Sequence, residues 1–472
     1  MTPIAPMSDQ KPGNDAARAF LDYFCCPPEC APFRVAGNLP VKEGFFRFGP
    51  ALCFGKTAAA SCSTPAETLF DAFSTVETSA AGEVRLCFDP TQVVENLRRE
   101  RYQVDRNRER LLRRLYYRIR SVLPSFVRQL LQRYVTRQRR ESVFPAWPVD
   151  CSVEQIFETL MALAIPAAGE REIPFIWFWP DGNEAALMMT HDVEEKRGVE
   201  HCQMLMDLDE SFGIKAAFQL IPQGRYQDFE EMAACIRARG FETNIHDLDH
   251  DGRLYEHAEL FQQRARKINE YARKYGMTGF RAGSMHRNQD WFGMLDFQYE
   301  MSVPTVSHLE PQKGGCCTVT PYFVGGVLEL PLTTIQDHGV FYILGERSID
   351  LWKRQIEIIS AHHGLISFII HPDYIVHTRE RGLYRELLEY ISRLRQERNI
   401  WLAVPGDINR WWRERSQMRL VQAGAGWEIR GKGSERAQLA YAGIVDGRVS
   451  YRIADKRFKC SSEGLSAREK LS

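Results

Sequence analysis

Residues 185–194 read AALMMTHDVE, an apolar run of strand character that closes on a cluster of polar and titratable side chains. Such a run reads as a buried strand, and the polar residues at its close mark where the strand emerges from the core. The same form recurs on either side of it: PFIWFW (174–179), IKAAFQLI (214–221), GFETNIH (240–246), GFRAG (279–283), MSVPTV (301–306), LELPL (328–332), LISFIIH (365–371) and WLAVP (401–405). Amphipathic stretches of helical period lie between several of these, among them 198–212, 229–240, 257–276, 348–364 and 381–399. Strands alternating with helices imply a parallel sheet, and this many units in so short a span predict a closed or nearly closed (β/α) barrel. A barrel gathers the C-terminal ends of its strands on one rim, where its chemistry sits.

Around that unit the chain divides by composition. Residues 1–16 are polar and proline-containing and read as a mobile tail. Residues 17–150 give a small irregular unit followed by an arginine-rich stretch. Residues 151–410 hold the barrel, and 411–472 a small β module with Gly and Asp-Gly turns. Between Glu95 and Arg140 there are 15 arginines against 4 acidic residues, spaced with apolar residues at helical intervals and divided by Pro124. This reads as a pair of basic helices, either packed on the barrel through their arginine stems or forming a peripheral foot on an anionic membrane.

The 472 residues are 44% apolar and 26% charged, enough to bury a large core. Lysine plus arginine and aspartate plus glutamate balance at 61 each, so no global field draws in nucleic acid, and no nucleic-acid partner is expected. No run approaches the length of a membrane span, and the first residues lack the features of a signal peptide. The 12 cysteines fall at irregular spacings, so they read as reduced thiols of a cytoplasmic protein, with Cys25, Cys26 and Cys30 unanswered by a second metal-binding knuckle.

The strand ends carry Asp192 and Glu194, His246 and His250, Arg281, and His371. HDLDHDGR (246–253) is rich in turn formers, so His246 and His250 are expected to meet across a turn rather than along a helix. Two imidazoles and one carboxylate make a three-ligand site for zinc or another divalent first-row ion, with Glu194 as the carboxylate. Side chains two apart on a strand share a face, which puts Asp192 beside Glu194. Asp192 is then the base toward a water whose pKa such an ion lowers from about 15.7 toward about 7. Arg281 is the cation that keeps the base ionised, His371 the acid toward the departing amine, and Asp337 the group that orients His371.

Taken in order, THDVE (190–194), HDLDH (246–250), FRAGS (280–284), LELPLTTIQD (328–337) and FIIHP (368–372) resemble the five motifs of the polysaccharide deacetylase family, the NodB-homology carbohydrate esterases. The resemblance covers about half the chain. It implies a distorted (β/α) barrel that binds a divalent ion, usually zinc, and removes acetyl groups from N-acetylated sugars. It implies Asp192 as base, Glu194, His246 and His250 as ligands, Arg281 as the orienting residue and His371 as acid. The first motif reads Asp-Val-Glu where many members have adjacent aspartates, as in a divergent branch of the family. The expected function is hydrolysis of an N-acetyl group from an amino-sugar glycan or precursor. The alternatives are a metal-dependent amidase acting on a small non-sugar amide, and a catalytically silent carbohydrate-binding or scaffold protein.

Overall fold

The computed structural model describes residues 15–66, 68–103, 142–227, 229–424 and 426–454. Its centre is a nine-stranded, largely parallel sheet: β1 (Ala186–Val193), β2 (Ala217–Leu220), β3 (Glu242–His246), β4 (Gly279–Arg281), β5 (Tyr299–Glu300), β6 (Tyr322–Val324), β7 (Val327–Glu329), β8 (Leu365–Ile370) and β9 (Trp401–Leu402). The strands run in the order β6-β7-β5-β4-β3-β2-β1-β8. Only β6 is antiparallel to its neighbour. Strand β1 is the longest and serves two partners on one edge: β9 pairs with Ala186 and Leu187, and β2 with Thr190 to Val193. Helices α1 (Lys196–Ser211), α2 (Phe229–Ala238), α3 (Ala258–Tyr275), α4 (Asp350–Ala361), α5 (Thr378–Arg398) and α6 (Pro405–Gln417) follow or precede the strands. Parallel neighbours need such crossovers, because a hairpin can join only antiparallel strands.

The sheet curls into a half-barrel, and regular pairing does not complete the closed ring expected from the strand count. Between β8 and the chain that leaves β7, threonines take the place of a ladder. Thr333 Oγ1 donates to the Leu365 carbonyl (2.7 Å) and accepts from the Ser367 N–H (3.0 Å). Thr334 donates its hydroxyl to the Ser367 carbonyl (2.7 Å) and its N–H to the same oxygen (3.3 Å). Two hydroxyls thus satisfy backbone groups that a strand would have paired.

Period-two alternation sorts the side chains. On β1, Leu187, Met189 and Val193 pack outward against the helices, while Ala186 and Met188 face the interior with Leu328, Leu330 and Leu365, in a second core. That second core extends into the N-terminal region, the helix Ser152–Ala167 and the C-terminal strands. On β1 the interior face is therefore apolar at its lower end, through Ala186 and Met188, and turns polar toward its C-terminal end.

Two expectations change at the periphery. PFIWFW is not a barrel strand: Glu172–Ile176 pairs antiparallel with Leu439–Val445, which forms a hairpin with Arg448–Ile453. The turn of that hairpin is Asp446-Gly447 with φ of 50° and 75°, the left-handed pair that a two-residue hairpin requires. Helix α6 also runs across the boundary read at residue 410. The tail over 1–16 and the basic helices fall largely outside the described residues. The first arginines of the basic run are described: Arg98 lies over the rings of Phe157 and Tyr322, and Arg99 pairs with Asp290 at 2.5 Å. All described cysteines are free thiols, and no described helix is long and apolar enough to cross a membrane.

Candidate metal centre and active site

The interior face of β1 continues upward through Thr190 and Asp192 to Glu194, one residue beyond the strand. Asp192 is buried, and its Oδ1 accepts from Arg281 Nη1 at 2.6 Å. Arg281 closes β4, wholly buried, with Nη1 also donating to Thr190 Oγ1 (2.8 Å) and Nε to the Met301 carbonyl (3.0 Å). A guanidinium locked at three points cannot swing away from the carboxylate it faces. Burial pushes the Asp192 carboxyl up, but the Arg281 guanidinium, with His246 and His371, more than offsets it and holds the group below the usual carboxylate range.

His246 ends β3. Its Nδ1 lies 3.2 Å from the Arg281 carbonyl, which fixes the tautomer with the proton on Nδ1 and leaves Nε2 a lone pair. The chain then turns sharply through Asp247 and His250, both with positive φ (57° and 54°), a conformation that Asp and His tolerate better than most side chains. Asp247 holds that turn by accepting from the N–H groups of Leu248 (2.7 Å) and Gly283 (3.2 Å). A Cβ at position 283 would sit 2.6 Å from the Asp247 carboxylate and 2.8 Å from the His250 ring, so the close approach of the two loops needs glycine there. The turn brings the His246 and His250 ring centroids to 4.8 Å.

Glu194 Oε1 is the point of convergence. It lies 2.9 Å from His250 Nε2, 3.7 Å from His246 Nε2 and 3.6 Å from His371 Nε2. Among the described residues neither His246 Nε2 nor His250 Nε2, both buried, makes a hydrogen bond, although Glu194 Oε1 lies 2.9 Å from the latter. Ligand atoms of Glu194, His246 and His250 all fall within 4.8 Å of one another. Two orphaned imidazole nitrogens and a carboxylate oxygen at this spacing are a donor set suited to a divalent first-row cation. Burial pushes the Glu194 carboxyl up; the surrounding imidazoles, His250 foremost, outweigh it and hold it well below the ordinary value.

His371 follows β8 directly. Its Nδ1 lies 2.6 Å from Asp337 Oδ1, and its backbone N–H donates to Oδ2 of the same carboxylate (2.7 Å). Burial alone would lower the pKa of this imidazole, but Asp337 and Glu194 raise it well above the ordinary value. The proton on Nδ1 is committed to Asp337, so Nε2 is the atom directed at the site. Beneath it, Ile369 shares the inward face and meets Met285 and Leu332 in a small apolar cluster separate from the two main cores.

All seven residues singled out in the sequence, Asp192, Glu194, His246, His250, Arg281, Asp337 and His371, thus lie at one end of the half-barrel. His191, in the same strand end, faces away from the site. It points outward, wholly buried, with Nε2 2.8 Å from Asp209 and Nδ1 3.2 Å from the Ile370 carbonyl, while the Tyr384 hydroxyl donates to Asp209 (2.6 Å). Thr190, Asp247 and Gly283 are parts of the site that the sequence reading did not assign. The Asp and Gly beside the histidine and arginine motifs were the available signal.

No protein-family model matches the chain, and no curated protein does. Among solved structures, the chain is similar to a protein from Mycobacterium smegmatis described as a polysaccharide deacetylase (17% identity, 50% of this chain and 93% of that one, TM-score 0.41). It is similar also to an allantoinase (13%, 50% and 92%, TM-score 0.40) and to a peptidoglycan deacetylase from Bacillus subtilis (10%, 49% and 93%, TM-score 0.32).

Proposed function

We propose that this chain is a metal-dependent amide hydrolase that releases acetate from an N-acetylated amino sugar, in a glycan or a glycan precursor. The observation that carries the reading is the placement of two polar pairs, Asp192–Arg281 and Asp337–His371, beside the convergence of Glu194, His246 and His250.

Glu194, His246 and His250 would hold the ion. A divalent first-row ion supplies Lewis acidity toward an acyl oxygen and makes water a better nucleophile at neutral pH. Asp192, kept ionised by Arg281, accepts the proton of the attacking water. The water oxygen adds to the acyl carbon, and the carbon–nitrogen bond breaks as His371 Nε2 delivers a proton to the departing nitrogen. Acetate and a free amine result, and the proton taken by Asp192 balances the one given by His371. Asp337 fixes the imidazole plane and favours its protonated form. The apolar cluster of Met285, Leu332 and Ile369, on the same face as His371, suits a small acyl group.

A second reading, a metal-dependent amidase acting on a small non-sugar amide, is favoured by depth. The side chains of Asp192, His246 and His371 are 2%, 1% and 5% exposed, and Glu194 at 25% is the most open member. Elemental analysis of wild type beside His246→Ala, after removal of loosely held ions, tests the shared premise. About one equivalent in wild type, lost in the variant, is expected. No ion in either after zinc is supplied would remove the mechanism and favour a binding or scaffold protein. Acetate release from N-acetylated glycans against small amides then separates the two enzyme readings.

A further inference from the structure

Strand β2 carries none of the seven residues of the site, yet it lies between the two strands that lead to the ligand candidates. Val193 of β1 is in register with Leu220, and Leu220 with Ile245 of β3. The segment that leaves β2, IPQGRY (221–226), therefore passes between the end of β1, which leads into Glu194, and the turn after β3, which holds His250.

This segment is bonded to both sides. Toward β1, the Tyr226 hydroxyl donates to the Val193 carbonyl (3.2 Å) and accepts from the Ile221 N–H (2.7 Å). Toward the histidine turn, the Gln223 N–H donates to the Leu248 carbonyl (3.0 Å). Arg225 spans the gap. Its Nη1 donates to Glu195 Oε1 at 2.6 Å, its Nη2 to the His250 carbonyl at 2.9 Å and its Nε to the Asp249 carbonyl at 3.4 Å. One planar fork thus joins the neighbour of one ligand candidate to the backbone of another. Both candidates sit outside regular structure: Glu194 is one residue past β1, and His250 is in the left-handed region, a conformation that persists only where its surroundings fix it.

Charge alone would give this arginine the opposite effect. A guanidinium near a cation site opposes the ion, and its removal also frees the Glu195 carboxylate to attract one. Loss of Arg225 would then tighten metal binding, whereas loss of a brace between the ligands weakens it.

We propose that Arg225 is a positioning residue that holds Glu194 and His250 at their working separation and so sets the affinity for the ion. This rests on the metal-centre reading above. Arg225 acts through those two residues and takes no part in proton transfer.

The test compares wild type, Arg225→Met and Arg225→Lys for zinc affinity, by competition with a chromogenic chelator, and for thermal melting of the metal-free chains. Arg225→Met should weaken zinc binding about ten- to a hundredfold, the usual cost of losing a partner behind a ligand. Arg225→Lys keeps the charge on a single ammonium that cannot serve both loops, and should lose most of the same affinity. Metal-free melting should stay close to wild type, because the Arg225 and Glu195 side chains are 32% and 58% exposed. Zinc binding by folded Arg225→Met that is as tight as wild type, or tighter, would overturn the brace and leave the metal centre standing. Wild-type affinity in Arg225→Lys would overturn it as well, by showing that one charge suffices. If Arg225→Met does not fold, the milder lysine variant decides alone. A wild type that binds no zinc would remove the metal centre and the brace together.

Discussion

Glu242 and His246 are the two ends of one strand, four residues apart on the same inward face, and they are treated in opposite ways. The Glu242 carboxylate is fully engaged: it accepts from the Tyr299 hydroxyl (2.5 Å), Asn244 Nδ2 (2.7 Å) and the Gly406 N–H (2.8 Å). Among the described residues, none donates to His246 Nε2. A cavity of about 580 Å³ lies at the Glu242 end, yet arginines that line it are occupied. Arg237 donates to the Tyr275 carbonyl, and Arg413 to the carbonyls of Gln298 and Gly326. Buried polar atoms are nearly always paired, so a satisfied end reads as architecture and an orphaned end as a place for chemistry.

The sharpest way to break that contrast is to neutralise one acid at each end. Asp192→Asn should retain the ion, since Asp192 is not among the three ligand candidates, and lower kcat by about 10²- to 10⁴-fold, the usual worth of a general base. Glu242→Gln should leave kcat within about twofold. Steady-state acetate release with metal analysis of both variants decides it. Comparable losses of turnover would mean that the two ends act as one unit, and loss of metal from Asp192→Asn would make that residue a ligand.

A smaller effect is expected one shell outward. Asp337→Asn keeps the shape beside His371 but removes the charge that holds its imidazole protonated. Turnover should fall about ten- to a hundredfold. The sign of the pH change follows from the cause: without the carboxylate the imidazole loses its proton at lower pH, so the alkaline limb of the rate profile should move down. A lower plateau with an unmoved limb would show that Asp337 only orients the ring.

What the sequence discloses and what it hides divide along the same physical line. Asp192 and Glu194 were legible because a strand alternates, and His246 with His250 because a run of Asp and Gly cannot sustain a helix. Glycine at 283 was quoted within its motif but could not be understood there, since the atoms it makes room for belong to residues more than 30 positions away. His191 shows the limit of reading strand ends as a group. It sits between two inward residues and therefore faces out, toward an aspartate and a tyrosine that only the fold brings near. PFIWFW failed for a related reason: an apolar run states that it is buried, not which sheet buries it. The unclosed ring is the same case, since two threonine hydroxyls do what a strand pairing was expected to do.

The smallest effect concerns stability and tests whether the satisfied end is comfortable. Burial raises the Glu242 carboxyl above its ordinary value, and the bonds from Tyr299, Asn244 and Gly406 lower it only in part. The folded chain therefore keeps this proton to a higher pH than the unfolded chain, whose carboxylate titrates near about 4.3. The contribution is fully present below that value and is lost as pH rises through the folded value, then stays level. Glu242→Gln has no proton to lose, so the difference in melting temperature between variant and wild type should shift in the variant's favour across that interval. Any constant offset from exchanging an acid for an amide drops out of the slope. Thermal melts from acid to neutral pH measure it. A flat difference would mean that the three donors already match what the carboxylate had in water, and that burial at this end costs the fold nothing that pH can reveal.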